Sequence, residues 1–426
     1  MGHDLRRLAF YVAASLALAG GALAQPVEPV LSLAKKERQP FLDTLKGLVS
    51  IETGTRDLEG LDRAANLIAA RLQALGGKVE LIDPTADAYR MADTPERIGK
   101  VVRARFEGKG TKKILLLAHM DTVYLRGMLA AQPFRLEGDR AYGLGIVDNK
   151  QGIALVLHAL AVLKALDFRG YGLVTVLINA DEEMSSPGSR KLITAEGARH
   201  DAVFSCESSR VDNDKLALAT AGLASVVLRV KGRASHAGSA PEMGRNALYE
   251  LAHQIMQTRD LSDPSTGLKM NWTLASAGTN RNVIPAEATA TADVRVLRVA
   301  DYDGIERAVR ERIMNRLIPD TQVEMIFERR RPPLQATAAS RALGAHAERI
   351  YAEIGRKLTV DTIAEGGGTD AAFASLQTQA PVLERVGLQG FGSHSNDAEY
   401  ILLDSIEPRL YLLARIIMDV SQGKIQ

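Results

Sequence analysis

Eight histidines occur in the chain, and their contexts separate them. His158, His253 and His346 fall inside helical apolar patterns and His200 precedes an apolar run, so all four read as structural; His3 lies in an N-terminal leader. His119, His236 and His394 remain. His119 follows an apolar run at 114–117, in His119-Met120-Asp121-Thr122. In extended chain, residues two apart share a side, so the Asp121 carboxylate can take the second imidazole N–H and fix the metal-binding tautomer.

Carboxylates recur in comparable places. Gly143-Leu144-Gly145-Ile146-Val147-Asp148-Asn149-Lys150 is a glycine-containing turn that runs into a helical pattern, and it lacks the glycine spacing of a phosphate loop. A turn that brings Asp148 close to His119 suits it better. Asp181-Glu182-Glu183 ends the apolar run 173–180, and Glu207 ends the run 202–205 in the same way. His394 stands in Gly390-Phe391-Gly392-Ser393-His394-Ser395, where small neighbours allow close backbone approach. Such a mixed nitrogen and oxygen set suits zinc. Two metals about 3.5–4 Å apart can share one carboxylate and one water. If Asp148 is the shared ligand, His119 and Glu207 complete one ion, and Glu183 and His394 the other. Glu182 is then free to take a proton from the polarised water and deliver it to a leaving amine, which is amide hydrolysis.

The elements that must position these groups alternate. Helical spacing covers 41–49 and 60–75, the latter stopped by Gly76-Gly77. Strand-like runs follow at 78–82, 101–106, 114–118, 173–180 and 202–205, with helical stretches at 152–166 and 189–196. This rhythm predicts an α/β body with a mostly parallel sheet, whose sites lie at the carboxyl ends of its strands. Between 222 and 332 the order becomes strand 223–230, helix 244–259, strands 269–275 and 287–296, helix 302–317 and strand 322–328. That is a β-α-β-β-α-β unit inserted into the larger body. The expected organisation is a leader at 1–24, a catalytic domain formed by the two segments 25–221 and 333–426, and the insertion between them at 222–332. The second catalytic segment has a helix at 340–354, a Gly-rich turn at 366–368 and a last helix at 406–420.

Composition narrows the partners. The 426 residues are 46% hydrophobic and 24% charged with 15 prolines, which excludes a disordered chain. Fifty-three basic residues nearly balance 51 acidic ones, leaving a formal +2, and this argues against nucleic acid as a partner. Arg6 and Arg7 precede an apolar run at 8–23, and Ala22-Leu23-Ala24 has a cleavage-site pattern. The expectation is a signal cut after Ala24, export to a periplasmic or extracellular space, and no membrane association thereafter; a membrane anchor is the competing reading of the leader. No later segment looks long and apolar enough to span. Cys206 is the only cysteine, so no intramolecular disulfide can form, and it reads as a small buried hydrophobe.

Taken in order, His119-Met120-Asp121-Thr122-Val123, Gly143-x-Gly145-x-x-Asp148-Asn149-Lys150, Asp181-Glu182-Glu183, Glu207, Gly232-x-x-Ser235-His236-Ala237-Gly238, Gly366-Gly367-Gly368-Thr369-Asp370 and His394-Ser395 resemble the di-zinc exopeptidases related to aminoacylase and succinyl-diaminopimelate desuccinylase. Within that family the chain looks most like the bacterial glutamate carboxypeptidases, which remove C-terminal glutamate from folates. The resemblance implies two Zn2+ ions bridged by Asp148 and a water or hydroxide, with His119, Glu183, Glu207 and His394 as the other ligands, Glu182 as general acid/base and Asp121 as ligand orienter. It also implies a homodimer through the inserted lid or dimerisation domain, with His236 stabilising the oxyanion and Asn282 and Arg295 contacting substrate. Arg295 would clamp the free C-terminal carboxylate of a small-molecule or short-peptide substrate, a role that bidentate hydrogen bonding suits. Lys215 and Thr369 are further candidates for the substrate pocket. Asn149 departs from the pattern, which has a second Asp there. Three other readings compete: an aminoacylase or dipeptidase with the same metals and a different pocket, a non-catalytic binding protein on this fold, and a nucleotide-binding enzyme using the 143–150 turn.

Overall fold

A computed structural model describes residues 25–365, 367–395 and 398–425. The leader, Gly366 in the glycine-rich turn and Gln426 lie outside the described residues, as do Asn396 and Asp397. The body is built on a sheet whose strands are β1 (Lys78–Ile82), β2 (Val101–Glu107), β3 (Lys113–His119), β4 (Leu173–Asn179) and β5 (Ala202–Ser205), in the order β1-β2-β4-β3-β5, with Val382–Leu383 at the far edge. From β4 onward all neighbours are parallel, as the α/β rhythm predicts. The other edge differs: β1–β2 and β2–β4 pair antiparallel. The link between β2 and β3 is too short for a helical crossover, which takes a dozen residues or more, so the chain must turn back on itself there.

Because both sheet faces are covered, the central strands are mostly apolar and almost wholly buried. One face packs against the helix Gln151–Ala165 and the C-terminal helix Ile406–Ser421, the other around Ile193 and Phe373. Ile146–Ala165 is, at 20 residues and a mean hydropathy of 1.3, long and apolar enough to cross a membrane, contrary to the sequence expectation. It is 89% buried inside the protein, which marks it as the helix at the centre of the core. Cys206 is fully buried, as expected. An N-terminal helix, Glu28–Lys36, and a small sheet joining 135–142, 209–210, 389–391 and 400–402 have no counterpart in the periodicity, because their strands are too short to show one.

The inserted segment forms a separate sheet from β6 (Gly222–Lys231), β7 (Lys269–Ala277), β8 (Glu287–Val296) and β9 (Gln322–Arg331), ordered β7-β8-β6-β9 and antiparallel throughout. Helices Ala247–Thr258 and Asp301–Arg312 complete the β-α-β-β-α-β unit. Alternate residues of β6 and β8 turn inward to meet Leu251, Tyr302, Ile305 and Val309 in a core of their own. Gly222, which starts β6, and Arg331, which ends β9 beside it, mark where the chain leaves and rejoins the body.

Candidate metal centre

His119 is the last residue of β3, and its ring is 1% exposed. Its Nδ1 lies 3.3 Å from Asp121 Oδ1, the predicted orienting contact, and its Nε2 lies 2.9 Å from Asp148 Oδ1 and 3.4 Å from Glu207 Oε1. On the opposite side His394 Nε2 is 3.4 Å from Asp148 Oδ2 and 3.2 Å from Glu183 Oε2. Asp148 thus turns one oxygen to each imidazole. His119, Asp148 and Glu207 form one group of ligand atoms within 4.8 Å of each other, and Asp148, Glu183 and His394 form a second. This is the pairing deduced from the sequence.

The donor set fits a pair of divalent cations. Burial raises the carboxyls of Glu183, to about 7, and of Glu207, well above the usual range, and neighbouring Asp148 pushes both further up. For His394, hydrogen bonds that the ring donates to Asp148 and Glu183 lift the imidazole to about 10. Burial opposes the charged form of Asp148, yet its hydrogen bonds to His119 and His394 hold it well below the ordinary value. Buried carboxylates crowded around imidazoles that hold their protons tightly are what cations would relieve, and Glu183 Oε1 is buried without a hydrogen-bond partner.

Each ligand has its own support. Asp121, fully buried, does more than orient His119: Oδ1 accepts the Glu182 N–H at 3.1 Å, and Oδ2 accepts the Glu183 N–H at 3.1 Å and the Thr55 hydroxyl at 2.8 Å. Asp148 sits at a cis peptide bond to Asn149, after a turn that Gly145 enters with φ +69°. That turn is held by Glu399, a residue the sequence reading missed. Its carboxylate accepts the N–H groups of Gly145 at 2.9 Å, Val147 at 2.7 Å and Asp148 at 3.1 Å, and the Tyr124 hydroxyl at 2.5 Å. The Tyr124 oxygen also lies 2.7 Å from the Ser395 carbonyl, its one proton shared between the two acceptors, so one network ties the Asp148 turn to the His394 loop. His394 itself has φ +64°, left-handed backbone that a non-glycine residue adopts only under constraint.

Glu182 is buried beside both groups without belonging to either. Arg331, also missed, grips it twice: Nη1 is 2.7 Å from Oε1, and Nη2 donates to its carbonyl at 2.7 Å. Arg331 is itself 4% exposed and held by Asp370 at 3.3 Å. Burial raises Glu182 to about 8, against the pull of Arg331 and His119. The only outward signal of Arg331 was its place in Arg329-Arg330-Arg331 before two prolines, which reads as a hinge.

The remaining candidates are distributed differently. His236 and Asn282 meet each other on the inserted domain, where Ala237 N donates to Asn282 O at 2.9 Å and His236 pairs with Val283. His236 Nδ1 accepts the N–H groups of Gly238 and Ser239, both at 3.1 Å, which leaves the proton of a neutral ring on Nε2. Arg295, on β8, spends two of its nitrogens on Asp293, at 2.8 and 3.1 Å. Thr369 lies at the head of the helix Asp370–Ser375, its hydroxyl buried. Lys215 opens the short strand Lys215–Ala217. It is a buried ammonium held 2.8 Å from Glu365 and 3.2 Å from Asp361, because an unpaired charge at that depth would be costly. His158, His200 and His346 are satisfied structural histidines, bonded to Thr44, Thr175 and Asp419.

Beside the second group lies a cavity of about 640 Å³, lined by the loop Gly54–Glu59, the loop Thr122–Arg126, Glu183 and Met184. The two loops are bonded to each other, Thr122 N to Thr53 O at 2.9 Å and Thr55 N to Thr122 O at 3.1 Å. They approach so closely that a Cβ on Gly54 would sit 2.3 Å from the Tyr124 carbonyl.

Residues 115–419 match the model of peptidase family M20/M25/M40. The chain belongs to this family. Carboxypeptidase G2 of Pseudomonas sp. (strain RS-16) is 44% identical over 414 residues, 97% of each chain. N-acetyl-L-citrulline deacetylase of Xanthomonas campestris pv. campestris is 28% identical over 274 residues, covering 62% of this chain and 68% of that one. Among solved structures, aminopeptidase PepT from Bacillus cereus superposes with a TM-score of 0.71 at 19% identity, covering 90% of this chain and 98% of its own. The fold is therefore that of an M20 peptidase, and the chain is a hydrolase of the metallocarboxypeptidase type, with two candidate metal-binding groups that share Asp148. A phosphate-binding role for the turn 143–150 falls away, since its backbone N–H groups are spent on Glu399.

Proposed function

We propose that the protein is an exported di-zinc carboxypeptidase that hydrolyses the amide to a C-terminal glutamate in folate-type or other N-acyl-glutamate substrates. The observation that carries this reading is Asp148, with one oxygen facing His119 and Glu207 and the other facing Glu183 and His394. Full-length likeness to a carboxypeptidase supports the reaction type. His119, Asp148 and Glu207 would hold one zinc, and Asp148, Glu183 and His394 the other. When bound, zinc supplies Lewis-acid polarisation of the scissile carbonyl and a lowered pKa for the attacking water.

The chain's own groups do the rest. Glu182, steadied at one oxygen by Arg331, takes the proton of the attacking water and returns it to the departing amine nitrogen. His236, with Nδ1 occupied by two backbone N–H groups, presents Nε2–H to the developing oxyanion once the inserted domain closes. Asn282 and Arg295, on that same domain, would contact the substrate's free carboxylate, which restricts cleavage to the last residue. A homodimer through the inserted domain is supported by edge strand β7, with Leu274 67% exposed, and by exposed Tyr249 and Met256 on the neighbouring helix. Light scattering would test it: a monomer at micromolar concentration would exclude the dimer.

Release of free amino acid from pteroyl, N-acyl and dipeptide substrates ending in Glu, Asp, Ala or Leu, with bound zinc counted, tests the assignment. The expected outcome is preferred release of glutamate with two zinc ions per chain. Preference for an apolar last residue would overturn the glutamate assignment, and full activity with one zinc would overturn the bridge.

A further inference from the structure

We infer that a second cavity, at the junction of the two domains, is a regulatory site for a small apolar monocarboxylate, whose binding holds the inserted domain against the closing motion of turnover. The effect on turnover rests on the proposed hydrolytic reading, and the binding site does not. The cavity measures about 390 Å³, within the ~300–1,000 Å³ typical of small-molecule sites, which favour domain interfaces. Its walls belong to different bodies: Arg190 and Phe373 to the catalytic domain, Val299, Tyr302 and Arg329 to the insertion. Rotation of the insertion about its two connections must therefore change the width of the cavity.

Charge selects an anion. The lining holds three cations, Arg190, Lys191 and Arg329, and no carboxylate. Arg329 is already paired with Asp303 and Glu306, and Lys191 has only a loose partner, Asp87 at 3.9 Å. Arg190 differs from both, because its oxygen acceptors are all neutral: the carbonyls of Ser185 at 2.6 Å, Arg330 at 2.8 Å, Ser186 at 3.2 Å and Arg329 at 3.3 Å. Asp181 and Asp370 act on it through space while bonded to other groups. One Nη1 hydrogen is left without an acceptor among the described residues. A part-buried cation with no charged partner is costly, and an anion in the cavity relieves it. One guanidinium N–H beside one ammonium suits a carboxylate better than a dianion. Val299 and Leu376, 42% and 44% exposed, with the Phe373 ring under the Arg190 guanidinium, offer apolar surface to the rest of the ligand.

Arg190 also carries the effect to the metal centre. It ties Ser185, two residues beyond Glu183, to the carbonyls of Arg329 and Arg330 on β9, and the next residue, Arg331, grips Glu182. A ligand that engages Arg190 and spans both walls fixes the hinge at one width. By linkage it favours that arrangement over the closed one, and closure in turn weakens its binding.

The test titrates the zinc-loaded protein with naphthalene-2-carboxylate, and with the neutral naphthalene-2-carboxamide as control, by calorimetry and by the rate on whichever conjugate of the panel it cleaves fastest. The Val299→Glu/Leu376→Glu variant places two carboxylates at the cavity mouth. Both side chains are exposed, so it is expected to fold, and its thermal midpoint checks this. Lys191→Gln takes its place if it does not. The wild type should bind one naphthoate and slow to a plateau above zero. The carboxamide should bind the wild type, and naphthoate the variant, about ten-fold or more weakly. No binding, equal binding by the variant, or inhibition that substrate relieves completely overturns the inference. Binding that leaves the wild-type rate unchanged overturns the regulatory role. If no conjugate is cleaved, the hydrolytic reading has failed separately, and the calorimetric comparison of wild type and variant decides the site alone.

Discussion

His119 and His394 bring the same chemical group to the two halves of the metal centre, yet the first is 1% exposed at the end of a central strand and the second 57% exposed on a loop with left-handed backbone. The His119 half is fixed by the sheet: β3 sits between two parallel neighbours, Glu207 follows β5, and Asp121 clamps the ring. In the His394 half Glu183 follows β4, but His394 itself stands on a loop. It is held by hydrogen bonds that run from Glu399 through Tyr124 to Ser395. The two halves therefore differ in which contacts must be made before a metal can bind, and Asp148 is where they meet.

Removing the shared group breaks both halves at once. Asp148→Ala should leave neither group with three ligands, so zinc content should fall toward zero. Activity should drop by about 10³-fold or more, the several kcal/mol that metal polarisation supplies. Retention of one tight zinc would show that a half can stand without the bridge. Glu182→Gln probes the opposite case, a residue that belongs to neither half. Zinc should stay at the wild-type count while kcat falls about 10²–10⁴-fold, the usual range for a general acid/base. Metal loss in this variant would place Glu182 among the ligands.

What the sequence revealed follows the same division. Strand ends are legible because an apolar run announces the strand and the polar residues that end it announce its carboxyl terminus, which is how His119, Glu183 and Glu207 could be found. His394 was legible through its glycines and serines. Glu399 was not, because it meets Val147 across 252 residues of chain and stands in no pattern of its own. Arg331 was hidden for the same reason, reaching Glu182 from 149 residues away. The carboxylate partners of Lys215 were hidden too, standing 146 and 150 residues away. The antiparallel β1–β2 edge was equally invisible, since direction depends on connections and periodicity reports only burial.

The finest test separates the halves by removing their supports in turn. In Glu399→Gln an amide replaces a carboxylate that accepts three backbone N–H groups and a hydroxyl. One of its two acceptor sites becomes a donor facing donors. The Asp148 turn and the His394 loop should loosen together, while His119 keeps its strand and Asp121. In Asp121→Asn the larger damage moves to the other half: the ring of His119 loses its charged acceptor, one of the Glu182 and Glu183 N–H groups loses its partner, and the His394 loop keeps its own hydrogen bonds. Loss of such supporting contacts typically costs 10–100-fold in metal affinity. Titrating each apo-protein with Co(II) and following its visible absorption should show a different step weakened the more in each variant. The two steps should differ in ligand field, because one site has Glu207 and the other Glu183 with a more exposed imidazole. If both variants weaken the same step, or each weakens both equally, Asp148 couples the halves so strongly that the distinction between strand-held and loop-held metal has no energetic meaning.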